Sequence, residues 1–197
     1  MHKPSGTSHR NHSLRSLMPV KPEITRRHEV EFYSDDAGFV IGFAHFIEAA
    51  LTAGNSVIVV ATESHRENLL QRLKDHGVDI VAAIERGLYL PLDVDKTLST
   101  FLGNDGPDPI RFFKVVGDLI AAGARATAGD QSRVSVCGEC APVLWAQGKT
   151  DAAIQVEHLC NQVAKCYNID ILCGFSLNDF YREEDKQIFQ KICKGTE

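Results

Sequence analysis

A chain of 197 residues with a formal net charge of −5 has the size of one domain, large enough to bury a core without staples. It contains no apolar run near the ~20 residues of a membrane span and no secretory apolar segment after Met1, so a cytoplasmic protein is expected. The charge is uneven. Residues 1–27 hold six Lys/Arg against one acid, Glu23, which leaves residues 28–197 at about −10; such an acidic body argues against nucleic acid as the main ligand.

Residues 1–27, rich in Ser, His and Pro, read as a flexible basic tail, and 28–197 as a single domain. Five strand-like runs then alternate with helical patterns: Glu29–Tyr33, Ser56–Ala61, Leu88–Leu92, Arg133–Cys137 and Ile169–Phe175. Val57-Ile-Val-Val60 is uniformly apolar and β-branched, as a strand covered on both faces should be. The first helix is expected over Asp36–Ala53, where Phe39, Val40, Phe43, Phe46, Ile47, Ala50 and Leu51 recur at helical spacing. Ser34, Asp35 or Asp36 can cap it and Gly54 can end it. Ser64-His-Arg-Glu67 reads as a capping box opening a second helix that stops at Gly77.

A short helix, Ile80–Arg86, precedes the third strand. Gly103-Asn-Asp-Gly-Pro107 is the one loop long enough to suggest a lid. Asp108-Pro109 is an N-cap and first-turn pair for a helix through Ala124. Helices Ala141–Gln147 and Asp151–Tyr167 follow the fourth strand, and Glu183–Cys193 closes the chain. This alternation means βα units: a three-layer α/β fold with a mainly parallel sheet of about five or more strands and helices on both faces.

Open α/β sheets bind ligands beyond the carboxyl ends of their strands. Val134–Cys137 ends in Gly138-Glu139 and turns into a helix carrying Trp145, so a carboxylate and an indole stand where a bound molecule would be felt. Glu139 can also cap that helix, and Trp145 can belong to the core. His28 and Tyr33 bracket the first strand, and alternation places them on opposite faces. His45 and Glu48, one turn apart, look like a solvated pair, and Glu157 is expected on the polar side of its helix.

Gly148-Lys149-Thr150 resembles the end of a phosphate-binding loop, but Val143 stands where that loop needs glycine, and the run follows a helix instead of a strand. It reads as a helix stop at Gly148 and a cap at Thr150. The turn after the first strand, Ser34-Asp-Asp-Ala-Gly38, offers carboxylates and no lysine to a triphosphate. Cys137-Gly-Glu-Cys140 has the spacing and context of a redox dithiol, although such motifs follow an early strand and this one follows the fourth. Metal binding there would need two further ligands. The six cysteines (137, 140, 160, 166, 173, 193) read as reduced and structural. No catalytic triad, His-Glu-x-x-His or paired-carboxylate signature stands out.

Taken in order, several short motifs resemble the MEDS domain, the sensory domain of the DcmR type. They are His28-x4-Tyr33, the Phe/Ile helix ending at Gly54 before an apolar strand, Arg86-Gly-Leu88, Asp108-Pro-x-Arg-Phe112, Cys137-Gly-Glu139 with Leu144-Trp145 and Gly148, Val156-Glu157-x-Leu159 and Ile171-Leu-Cys173. The resemblance runs from about His28 to Cys193. It implies a RecA/KaiC-like core without a phosphate loop, no cofactor and no catalysis. It also implies sensing of a small organic molecule such as a hydrocarbon derivative. The signal would pass to a separate regulator (a histidine kinase, an anti-sigma factor or a transcription regulator) or through a homo-oligomer. Cys140 stands where the resemblance leads one to expect Met. The ligand-binding residues expected on this reading are His28, Tyr33, Glu139 and Trp145. A degenerate nucleotide-binding regulator, a thiol redox protein using Cys137 and Cys140, and a ligand-free adaptor are the alternatives.

Overall fold

The apolar run at Val57–Val60 does lie inside a sheet, buried on both sides. In a computed structural model that describes residues 27–127, 133–179, Asp185 and Gln187, five strands form one parallel sheet. They are β1 (Arg27–Tyr33), β2 (Ser56–Ala61), β3 (Tyr89–Asp93), β6 (Val134–Gly138) and β7 (Ile169–Ser176), in the order β1-β7-β6-β2-β3. The remainder of the tail lies outside the described residues, as does the helix expected at 183–193 apart from two positions.

Parallel neighbours need crossover connections, and these put helices on both faces. The helices are α1 (Asp36–Thr52), α2 (Glu63–Asp75), α3 (Ile80–Glu85), α4 (Val94–Phe101), α5 (Pro109–Ala126), α6 (Cys140–Ala146) and α7 (Thr150–Cys166). Strand alternation sorts the core in two. Val57, Val59, Ala61, Tyr89, Cys137 and Leu172 pack with Phe43 and Ile47 of α1, Leu69 and Leu73 of α2 and Ile80 of α3. Ile58, Val60, Val134, Ile171, Cys173 and Phe175 face the other way, against α4 to α7.

Local chemistry sets the helix ends. The Asp35 carboxylate accepts from the Gly38 N–H at 2.7 Å and caps α1, and Asp108 caps α5 through Ile110 and Arg111, with Pro109 in its first turn. Gly54, Gly77 and Gly148 take positive φ just past α1, α2 and α6, the left-handed conformation that glycine adopts without steric cost.

Four expectations are corrected. The second helix opens two residues earlier than the Ser64–Glu67 box, with Thr62 as its cap. Lys149, not Thr150, occupies the N-cap position of α7 and makes no side-chain capping bond. The stretch expected as a loop, Gly103–Pro107, belongs to a small hairpin, β4 (Leu102–Gly103) with β5 (Gly106–Pro107). It is preceded by α4, a helix absent from the sequence reading, whose cap is Asp93 through the Lys96 N–H at 3.0 Å.

The register aligns the carboxyl ends of the strands. Tyr33 is paired with Ser176, Gly138 with Cys173, and Val60 with Gly138. The turns that follow β1, β2, β6 and β7 therefore meet along one edge, and side chains from four distant segments can face a common space there.

Candidate functional site

The edge is organised by Glu139. Its N–H extends the sheet by donating to the Val60 carbonyl at 2.9 Å, which turns the side chain across to the start of α2. There Oε1 accepts from the Thr62 N–H at 3.2 Å and lies 2.8 Å from His65 Nδ1. Glu139 is only 5% exposed, so this carboxylate is satisfied by the protein itself. It sits at the N-cap position of α6 yet makes no capping hydrogen bond, so the capping role open to it in the sequence is not the one it takes.

His65 is fixed on three sides. Its ring stacks on Phe39 with centroids 4.3 Å apart, Nδ1 faces Glu139, and Nε2 stands 3.7 Å from Asp36 Oδ1. Partial burial works against its charged form, but the hydrogen bond and charge of Glu139, with Asp36 behind them, more than offset this and raise its pKa. Tyr33 closes the next wall. Its ring meets Phe39 edge-on at 5.6 Å, its hydroxyl donates to the Glu31 carboxylate, and the same hydroxyl lies against Gly42. Burial first, then Glu31, push the phenol pKa well above its ordinary value, so Tyr33 stays neutral.

These walls enclose a cleft of about 140 Å³ lined by Tyr33, Phe39, His65, Glu139, Val143 and Phe175, among others. Aromatic and aliphatic surface with a few fixed polar groups is the usual make-up of a small-molecule site. Asp35 and Asp36 also reach it, and His65 is the only basic side chain among its lining residues.

The structure brings Tyr33 and Glu139 together and not the other two expected residues. Trp145 is 6% exposed and sits in the core behind the cleft; its ring meets Phe175, a cleft-lining residue, edge-on at 6.5 Å. His28 lies on the opposite sheet face under α7, where its Nε2 is 3.1 Å from Glu157 Oε2. Burial opposes its charge, but the Glu157 contact outweighs burial, and its pKa is pushed up to about 9. Glu157, expected at the polar surface, is 1% exposed. Glu48, expected beside His45, pairs instead with His76 at 2.7 Å.

Sequence reasoning passed over His65, Phe39 and Phe175. A signal for His65 was present: it follows the end of the apolar strand β2, the same kind of position that singled out Glu139.

Cys137 and Cys140 fall into different halves of the core. Cys137 packs with the α1–α3 cluster, whereas Cys140 packs against the other and lines a separate interior cavity. Burial first, then neighbouring acids and thiols, push both pKa values up, away from the reactive thiolate. Gly148-Lys149-Thr150 joins α6 to α7, and Lys149 Nζ donates to the Gln147 side chain at 2.9 Å. It is a helix-to-helix turn and lacks the strand that a phosphate loop follows.

No curated protein matches the chain. The model of one family, the methanogen/methylotroph DcmR sensory domain or MEDS, matches residues 27–191, well over half of the chain. An α/β chain whose strand ends converge on a part-buried carboxylate–imidazole pair, matched over that span, belongs to the MEDS sensory-domain family.

Proposed function

We propose that this domain senses a small, largely uncharged organic molecule in the cleft between Tyr33 and Glu139, without catalysis, and passes the event to a separate regulatory protein. One observation carries the reading. The strand-end cleft combines aromatic walls, Phe39, Tyr33 and Phe175, with a part-buried acid–imidazole pair, Glu139–His65. The apolar walls supply affinity and the pair supplies orientation. The carboxylates of Asp35, Asp36 and Glu139 against one imidazole disfavour a phosphate or another anion. The walls belong to the starts of α1 and α2, to α6 and to the end of β7. A ligand bridging them would tie these elements together, and a partner that reads their relative position would register its arrival.

The interior cavity favours a second reading. About 70 Å³ in volume, it is lined by Ile58, Val60, Phe101, Phe112, Val156 and Ile171, among others. Since an engineered cavity of roughly 150 Å³ holds benzene, this one suits a wholly apolar molecule of one or two carbons.

A thermal-shift screen of the full chain tests the proposal. Uncharged organic fragments with a hydrogen-bonding group should raise the melting temperature, and ATP with magnesium should neither raise it nor be hydrolysed. Stabilisation by nucleotide alone would overturn the reading.

A further inference from the structure

His28 and Cys173 come from adjacent parallel strands. Val30 is the register partner of Cys173, so His28, two residues earlier on the same face, reaches Cys173 diagonally. Above them α7 presents Glu157, Cys160 and Asn161, three and four residues apart and therefore on one side of the helix. A ring nitrogen of His28, Cys160 Sγ and Cys173 Sγ all lie within 4.8 Å of one another, with Nε2 3.4 Å from Cys173 Sγ. The carboxylate of Glu157 is 3.1 Å from the same Nε2.

We propose that His28, Cys160 and Cys173 form the site of a thiophilic divalent d-block ion of the zinc(II) type, on which Glu157, beside the imidazole but outside that three-residue cluster, closes as the fourth ligand. The site is separate from the cleft and shares no residue with it.

The geometry fits such an ion. Tetrahedral zinc with ordinary bond lengths holds a nitrogen and a sulfur about 3.5 Å apart, and a nitrogen and an oxygen about 3.3 Å apart. Here Nε2 is 3.4 Å from Cys173 Sγ and 3.1 Å from Glu157 Oε2. The imidazole is also oriented as a ligand should be. Nδ1 lies 2.8 Å from Asn161 Oδ1, so an N–H there donates to the amide, and Nε2, once it gives up its proton, turns its lone pair to the thiols. Both Glu157 oxygens are buried, and their close cationic neighbour is His28 Nε2 at 3.1 Å. An ion pair alone leaves that carboxylate poorly satisfied, whereas a cation among the four donors satisfies it. Mixed thiolate, imidazole and carboxylate donors with no open position suit a structural zinc-type ion.

Binding exchanges protons for metal. The Nε2 proton and the two thiol protons leave to the buffer, and the ion gains one nitrogen, two sulfurs and one carboxylate oxygen, with no change of oxidation state. Because β1, β7 and α7 all contribute, the ion would clamp the sheet edge to its covering helix.

Cobalt(II) is the probe. The full chain, stripped with chelator and kept reduced with a phosphine, is titrated anaerobically and read by absorption. The expected result is saturation at one equivalent, with thiolate-to-cobalt charge transfer in the near ultraviolet and the intense visible bands of four-coordinate cobalt. Zinc should bleach both. Cys160→Ser and Cys173→Ser should each weaken the charge-transfer band and together abolish it, while Cys166→Ser leaves it unchanged. Asn161→Ala should weaken cobalt affinity roughly 10–100-fold while keeping the band positions, and Asn161→Asp should restore it, as befits a positioning residue. On the parent alone, zinc should shield Cys160, the half-buried thiol of the pair, from alkylation but not the exposed Cys166, as read by mass spectrometry. A folded parent that shows no charge-transfer band, a band that survives the double substitution, or equal alkylation with and without zinc overturns the site. None of these results depends on whether an organic ligand occupies the cleft.

Discussion

The Nδ1 atom of His65 lies 2.8 Å from Oε1 of Glu139, and the two residues stand just beyond different strands, His65 in the first turn of α2 after β2 and Glu139 directly after β6. This pair ties the start of α2 to the start of α6 and forms the polar wall of the cleft.

Its pH dependence follows from the sign of the shift. The imidazole of His65 has a higher pKa in the folded protein than the ordinary value of about 6.5 expected unfolded. Its pairing with Glu139 therefore stabilises fully below about pH 6.5 and fades as pH rises through the folded value. Thermal melts of the parent and His65→Gln should differ most at or below that pH and converge in alkaline buffer. A gap that widens with rising pH would contradict the pairing.

Gly174 is placed where nothing larger fits. A Cβ there would stand 2.6 Å from Phe43 Cε1 and 2.8 Å from Phe39 Cε2. Gly174→Ala should therefore cost roughly 1–3 kcal/mol by overpacking. It should also push Phe39 and disturb ligand binding in the cleft. Denaturant unfolding measures the first effect, and an unchanged midpoint would show that the two rings have room to move.

Alkylation should proceed in an order set by burial. Cys166 is exposed and should react first, whereas Cys137 and Cys140, with raised pKa values, should stay inert until the protein unfolds. Timed iodoacetamide labelling with peptide mapping reads this order. Fast labelling of Cys137 or Cys140 in folded protein would revive the redox alternative.

Much of the fold was legible because it depends on local signals. The β-branched run at Val57–Val60 and the Phe39–Ala50 stripe report burial directly, and Gly54, Gly77 and Gly148 mark helix stops without reference to the rest of the chain. Helix α4 escaped because it follows β3 without a break and spans only eight residues. The cap of α2 was misplaced because Thr62 and Ser64 both offer a hydroxyl, and the choice between them depends on where β2 ends.

The candidate site was half legible. Tyr33 and Glu139 stand at strand ends, which sequence alone can locate. His28 is at the opposite end of its strand, and its partners Glu157 and Asn161 come from a helix far along the chain. One sign of burial at Glu157 could have been read: it shares a helical stripe with Ala153, Cys160 and Ala164. Trp145 was drawn into the site by nearness in sequence, but α6 turns its ring away from the cleft and into the core.

The central claim is that the cleft at Glu139 holds the sensed molecule, and the most direct test is a titration read through the chain's single tryptophan. Trp145 touches Phe175, so an occupant of the cleft should alter its emission without contacting it. Using an uncharged fragment that stabilises the parent, the account predicts a saturable fluorescence change. Glu139→Gln should weaken binding by roughly 1–3 kcal/mol, the range for loss of a charge-assisted hydrogen bond. Ala141→Val, which fills the interior cavity, should leave binding unchanged. Binding that is indifferent to Glu139→Gln and lost in Ala141→Val, with both variants folded, would contradict the account and place the sensed molecule in the interior cavity.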